Sequence, residues 1–83
     1  VTLSNRRGLH ARASARFVTL AAGLPVEIEV EREGSKVAGT SIMGLMMLGA
    51  AMGDSILIRA EGDGAEEAVD LLVRLVEDKF GEE

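Results

Sequence analysis

The chain has no cysteine, no tryptophan and no tyrosine, and only one proline, two phenylalanines and one histidine. Without cysteine there can be no disulfide, no thiolate nucleophile and no cysteine-ligated metal. With a single histidine besides, a zinc site would have to be built mostly from carboxylates, a set this metal rarely takes. No metal and no cofactor is therefore expected. Two aromatic rings leave little on which nucleic-acid bases could stack. No segment approaches the roughly 18 apolar residues of a membrane span, so no membrane insertion is expected. No signal peptide is visible, since arginines follow Val1-Thr2-Leu3 almost at once. A cytoplasmic location fits a chain free of cysteine.

What is present is a short, apolar chain with an uneven charge. Its 83 residues are 47% hydrophobic, which suits a single domain over 1–83 with one core that needs no staple. The net charge of −5 conceals an asymmetry: residues 1–26 carry four arginines and no acid, and residues 27–83 carry five bases against fourteen acids. An acidic body argues against general nucleic-acid binding. The basic end is local and directed.

The pattern predicts the element order β-α-β-β-α-β-α. Val1 to Leu3 reads as a short strand and Ser4 to Gly8 as its exit turn. Ala13, Phe17, Leu20 and Leu24 recur on one face of a helix, which Gly23 and Pro25 end. Val26-Glu27-Ile28-Glu29-Val30-Glu31 alternates without a break, placing Val26, Ile28 and Val30 inward and the glutamates toward water. After a turn over 32–35, Lys36-Val37-Ala38 returns as an antiparallel partner. Thr40 or Ser41 can cap a short helix over Ile42 to Ala50. Ser55 to Ala60 forms another strand, with Ile56, Ile58 and Ala60 inward. Asp63 and Glu66 have capping-box spacing at the start of a last helix. In it Val69, Leu72, Val76 and Phe80 share a face, and Gly81 is its stop. This order predicts an α+β protein, an antiparallel sheet with its helices on one face.

The single histidine, His10, opens the first helix, where Ser, Thr, Asp or Asn would cap better. Taken alone, a histidine beside a glycine is usually an exposed loop residue. Its surroundings point elsewhere. Imidazole offers a nucleophilic nitrogen, and Arg6, Arg7, Arg12 and Arg16 surround it with no acid before Glu27. Arginine's planar fork matches phosphate oxygens, and a helix N-terminus adds inward-pointing N–H groups and a positive dipole end. Nucleophile, arginines and dipole together describe a place to receive an anion, above all a phosphoryl group.

These residues also carry a family resemblance. Gly8-Leu9-His10-Ala11-Arg12, followed by Ala15 and Phe17-Val18, resembles the active-site signature of HPr, the histidine phosphocarrier of the phosphotransferase system. Ser41-Ile42-Met43-Gly44-Leu45-Met46-Met47-Leu48-Gly49-Ala50 resembles the segment around that family's regulatory serine. Gly53-Asp54-Ser55 through Ala60-Glu61-Gly62 is a third match. The resemblance implies an open-faced β-sandwich, with a four-stranded antiparallel sheet covered on one face by three helices. It implies that His10 takes a phosphoryl group on Nδ1 from phosphorylated enzyme I and passes it to a histidine of an EIIA-type protein. Arg12 would steady the phosphoryl oxygens. The protein would be a carrier and a substrate of its partners more than a self-sufficient enzyme. A monomer is expected. Where the family has proline after the arginine, this chain has Ala13, which restores a backbone donor and loosens the first helical turn. Slower or rebalanced transfer is the expected consequence. Ala13 and the form of the second motif resemble the nitrogen-regulatory members of the family.

Ser41 reads first as a helix cap. The resemblance adds phosphorylation by an HPr kinase/phosphorylase, which would repel acidic partners attracted by the arginines. Ile42, Met43, Met46 and Met47 are too many apolar residues for one buried stripe on a short helix. Ile42, Met43 and Met46, with Arg12 and Arg16, are therefore expected to form a docking surface. An alternative reading is a regulatory interaction module that binds through the Met-rich helix while His10 stays unphosphorylated. A minimal histidine-dependent hydrolase is more remote, since the sequence places no acid near His10 to orient the ring.

Overall fold

The computed structural model describes residues 1–82. The elements are α1 (Ala11–Ala22), β1 (Ile28–Arg32), β2 (Ser35–Ala38), α2 (Ile42–Met47), β3 (Leu57–Ala60) and α3 (Ala65–Glu77), followed by a 3-10 turn at Lys79–Gly81. The strands form an antiparallel sheet in the order β2-β1-β3. The β1–β2 hairpin closes through Glu33 and Gly34, whose φ angles of 49° and 85° are those of a tight two-residue turn. Val30 pairs with Val37 on one side and Ile58 on the other. Burying Val30 and Ile58 therefore fixes the register by alternation.

Helices pack on the inner face. Phe17 from α1, Val30 from β1, Leu45 from α2 and Leu72 and Val76 from α3 are wholly excluded from solvent in one core. The outer face is polar: Arg59 reaches across to Glu29 at 3.0 Å and Glu31 at 2.5 Å. Glu29 and Glu31 of the glutamate row are thus paired with Arg59.

The expected fourth strand is reduced to a single bridge, Thr2 to Ser55. Val1 and Leu3 still exchange backbone hydrogen bonds with Ile56, Asp54 and Gly53 at 2.8–2.9 Å. These partners lie before β3, where the chain turns through Gly53, so no longer ladder can form there. The second helix stops at Met47, short of Ala50, because Gly49 turns left-handed with φ 67°. Leu20, Leu24, Val26 and Ala60, expected inward, are only partly buried, whereas Ala21 and Ile28 are fully covered.

The last helix also differs from expectation at both ends. Its cap is Gly64, with φ 85° and no side-chain hydrogen bond, and not an Asp63–Glu66 box. A Cβ on Gly64 would sit 3.4 Å from Pro25 Cγ. At the other end α3 stops at Glu77, and Phe80 enters the core from a left-handed turn instead of from the helix. Lys79, Phe80 and Gly81 have φ of 55°, 56° and 74°. Two non-glycine residues in that region cost roughly 1–2 kcal/mol each. Complete burial of the Phe80 ring, worth about 1.5–3 kcal/mol, offsets much of that.

Candidate active site

Three segments meet at His10. The first is the loop before α1. Gly8 has φ 58°, and a Cβ there would lie 2.3 Å from Ala50 O, so only glycine lets the two backbones approach. Next to it, Leu9 N–H donates to Ala50 O at 3.0 Å. The loop that follows α2 therefore braces the histidine.

His10 itself is the N-cap of α1, and its ring does the capping: Nδ1 accepts the Arg12 N–H at 3.3 Å. An imidazole thus takes the role of a serine or aspartate, through a long contact on the exposed side of the ring. Ser14 N–H donates to His10 O, and the buried Ser14 hydroxyl donates to Leu9 O. The main chain at the helix start is fixed from both directions.

The third segment is the left-handed turn at the chain's other end. It returns Glu82 to the site, where Glu82 Oε2 lies 2.7 Å from His10 Nε2. Asn5 Nδ2 donates to Glu82 Oε1 at 3.2 Å and to Gly8 O at 2.8 Å. Asn5 is wholly buried, so the carboxylate is aimed by a side chain that cannot move freely. Arg16 Nη1 donates to Phe80 O and holds the turn against α1. Burial pushes the Glu82 carboxyl up. The hydrogen bonds from Asn5 and His10, with the charges of His10 and Arg12, outweigh this and hold it below the ordinary carboxylate range. Glu82 is therefore ionised at neutral pH and can only accept, so Nε2 carries the ring proton and Nδ1 keeps its lone pair.

The expectation that no acid stands near His10 is thus overturned by a residue 72 positions away. The hydrolase reading gains an orienting acid but no nucleophile, since the nearby Ser14 hydroxyl is committed to Leu9 O. Arg12 is exposed, and its guanidinium makes no hydrogen bond among the described residues, so it is available to an incoming anion. Arg16 is already engaged with Phe80 O.

Ser41, not Thr40, caps α2, its Oγ accepting from Gly44 N–H at 2.9 Å. Ile42, Met43 and Met46 are exposed beside it, at 41%, 70% and 41%. Met47 and Met52 are exposed as well, at 80% and 57%. Leu45 and Leu48 face the core. No group of three potential metal ligands occurs among the described residues. No helix among them is long and apolar enough to cross a membrane.

Fold and site define a class: a small open-faced α+β protein that presents a nucleophilic histidine nitrogen at a helix N-terminus beside an unengaged arginine. Residues 1–78 match the family model described as the PTS HPr component phosphorylation site. The chain is 41% identical over 81 residues to phosphocarrier protein HPr of Cupriavidus necator, covering 98% of this chain and 91% of that one. It is 38% identical to phosphocarrier protein NPr of Shewanella violacea, with 99% and 90% covered. A crystal structure of HPr-C-His from Thermoanaerobacter tengcongensis superposes with a TM-score of 0.94 at 47% identity, covering 100% of this chain and 93% of that one. The chain belongs to the HPr family of phosphocarrier proteins of the phosphotransferase system.

Proposed function

We propose that His10 Nδ1 accepts a phosphoryl group from phosphorylated enzyme I and passes it to a histidine of an EIIA-type protein. The observation that carries this reading is the ring's orientation: Nε2 faces Glu82 at 2.7 Å, and Nδ1 lies at the N-terminus of α1. The Nδ1 lone pair forms the new N–P bond as the bond to the donor imidazole breaks, and that imidazole leaves with its electron pair. The Arg12 N–H and the Arg12 guanidinium receive the phosphoryl oxygens, so the transfer relies on placed donors more than on acid–base catalysis.

Docking falls to the exposed Ile42, Met43 and Met46 together with Arg12 and Arg16. Ser41 is the site for regulatory phosphorylation by an HPr kinase/phosphorylase. A phosphate there would replace the hydroxyl that caps α2 and place a dianion beside the apolar patch. Ser41→Asp is expected to slow phosphorylation by enzyme I, and an unchanged rate would remove the switch.

The test of the main reading is incubation with enzyme I and phosphoenolpyruvate. An acid-labile mass increase of one phosphate is expected, absent in His10→Ala. Retention of the increase in that variant, or its absence in the parent, overturns the assignment.

A further inference from the structure

We propose that Glu82 determines which ring nitrogen of His10 carries the phosphate, directing it to Nδ1 and keeping it there by occupying Nε2. This rests on His10 being the phosphorylated residue and adds the group that sets the regiochemistry.

An imidazole has two nitrogens that can take a phosphoryl group. On a free side chain Nε2 is the less crowded and gives the more stable product, so a preference for Nδ1 has to be imposed by the protein. In this chain the Glu82 carboxylate stands 2.7 Å from Nε2. Being ionised, it accepts the Nε2 proton and leaves the lone pair on Nδ1. Its charge also repels an anionic phosphoryl donor from that edge of the ring. The two effects act in the same direction.

The carboxylate is placed, not merely nearby. Its second oxygen takes the Asn5 amide, Asn5 is wholly buried, and the same amide is anchored on Gly8 O. The polypeptide reaches this point through two non-glycine residues in the left-handed region, held by the buried Phe80 ring and by Arg16 on Phe80 O. Among the described residues, the hydrogen-bond partner of Nε2 is Glu82. The Arg12 N–H faces Nδ1, where a helix N-terminus favours phosphate oxygens.

The chemistry can be read without any partner by using phosphoramidate as the donor. Nδ1 attacks phosphorus, the N–P bond to the donor's nitrogen breaks, and that nitrogen leaves as ammonia with the electron pair. The Nε2 proton stays on the ring, and the Glu82 carboxylate neutralises the resulting imidazolium.

The parent and Glu82→Ala, with Glu82→Ser as a second truncation, are treated with phosphoramidate. The isomers are then assigned by phosphorus and nitrogen NMR, with the amide spectrum confirming the fold. The parent is expected to carry phosphate on Nδ1. The truncated chains are expected to shift the isomer ratio toward Nε2 by about tenfold or more, the size of a charged hydrogen bond. A parent phosphorylated on Nε2, a parent that takes no phosphate, or truncated chains with the parent's ratio each overturn the proposal. Because enzyme I is absent, its failure to phosphorylate the chain would count against the proposed function alone.

Discussion

Glu82 changes what the first helical turn means. Four arginines without an acid read as a site for anions, yet the folded protein places one carboxylate there and aims it at the ring. Its effect on stability has a definite sign. A carboxyl whose folded pKa lies below its unfolded value stabilises the fold above the unfolded value, and that contribution is lost as pH falls through the folded one. Thermal unfolding of the parent and Glu82→Gln is therefore expected to differ by a constant amount at neutral pH and to converge in acid. Curves that stay parallel down to the acid limit would contradict the depressed pKa. The second residue-scale prediction concerns Ala13, which is completely buried in the first turn of α1. Proline there fixes φ and removes a donor, so Ala13→Pro is expected to transfer phosphate faster than the parent from the same donor. Equal rates would show that preorganisation of this turn is not limiting.

Among the elements, the connections do more for the site than the helices and strands do. Gly8 touches the loop after α2 at a distance no Cβ can share, and it sits at φ 58°. Gly8→Ala is expected to cost about 2–4 kcal/mol, in the range of strained left-handed positions with a backbone clash. Urea unfolding would measure it, and phosphorylation should slow in the fraction still folded. Ser41 shows the opposite case, an element boundary written locally: a hydroxyl three residues before Gly44 N–H is a cap wherever the chain stands. The end of α3 was not legible in this way. Val69, Leu72, Val76 and Phe80 keep helical spacing past the point where the helix stops. Burial of Phe80 is satisfied equally from a left-handed turn, and only the turn also returns Glu82 to His10.

At the scale of the whole molecule, α2 and the loop after it leave apolar side chains exposed. All four methionines lie between residues 43 and 52, and all are exposed. None is in the core, so the patch can be altered without unfolding the protein. Met46→Lys is expected to leave the melting temperature within a few degrees of the parent. It should weaken binding to phosphotransferase-system partners, as titration calorimetry with enzyme I would show. Unchanged affinity would remove α2 from the docking surface. Family membership implies such partners in general, and relatives named HPr and NPr lie at similar identity to this chain.

The sequence by itself determined the α+β class, the hairpin and its register, the narrowing of the α2 cap to Thr40 or Ser41 and the position of His10 at a helix start. Each of these follows from local chemistry: a period of two or of 3.6, a turn residue, or a hydroxyl within reach of its own backbone. It also gave the family, through motifs that lie in continuous stretches. Tertiary structure decided the rest. That the N-terminal strand is a single bridge depends on where Gly53 turns its partner. That Arg16 clasps Phe80 O while Arg12 stays open depends on which turn of α1 faces the chain's end. That Nδ1 is the nitrogen without the ring proton depends on Asn5 and Glu82, which lie 77 positions apart. No periodicity or spacing records such a contact, because it arises only when core burial and backbone strain bring the two ends of the chain together.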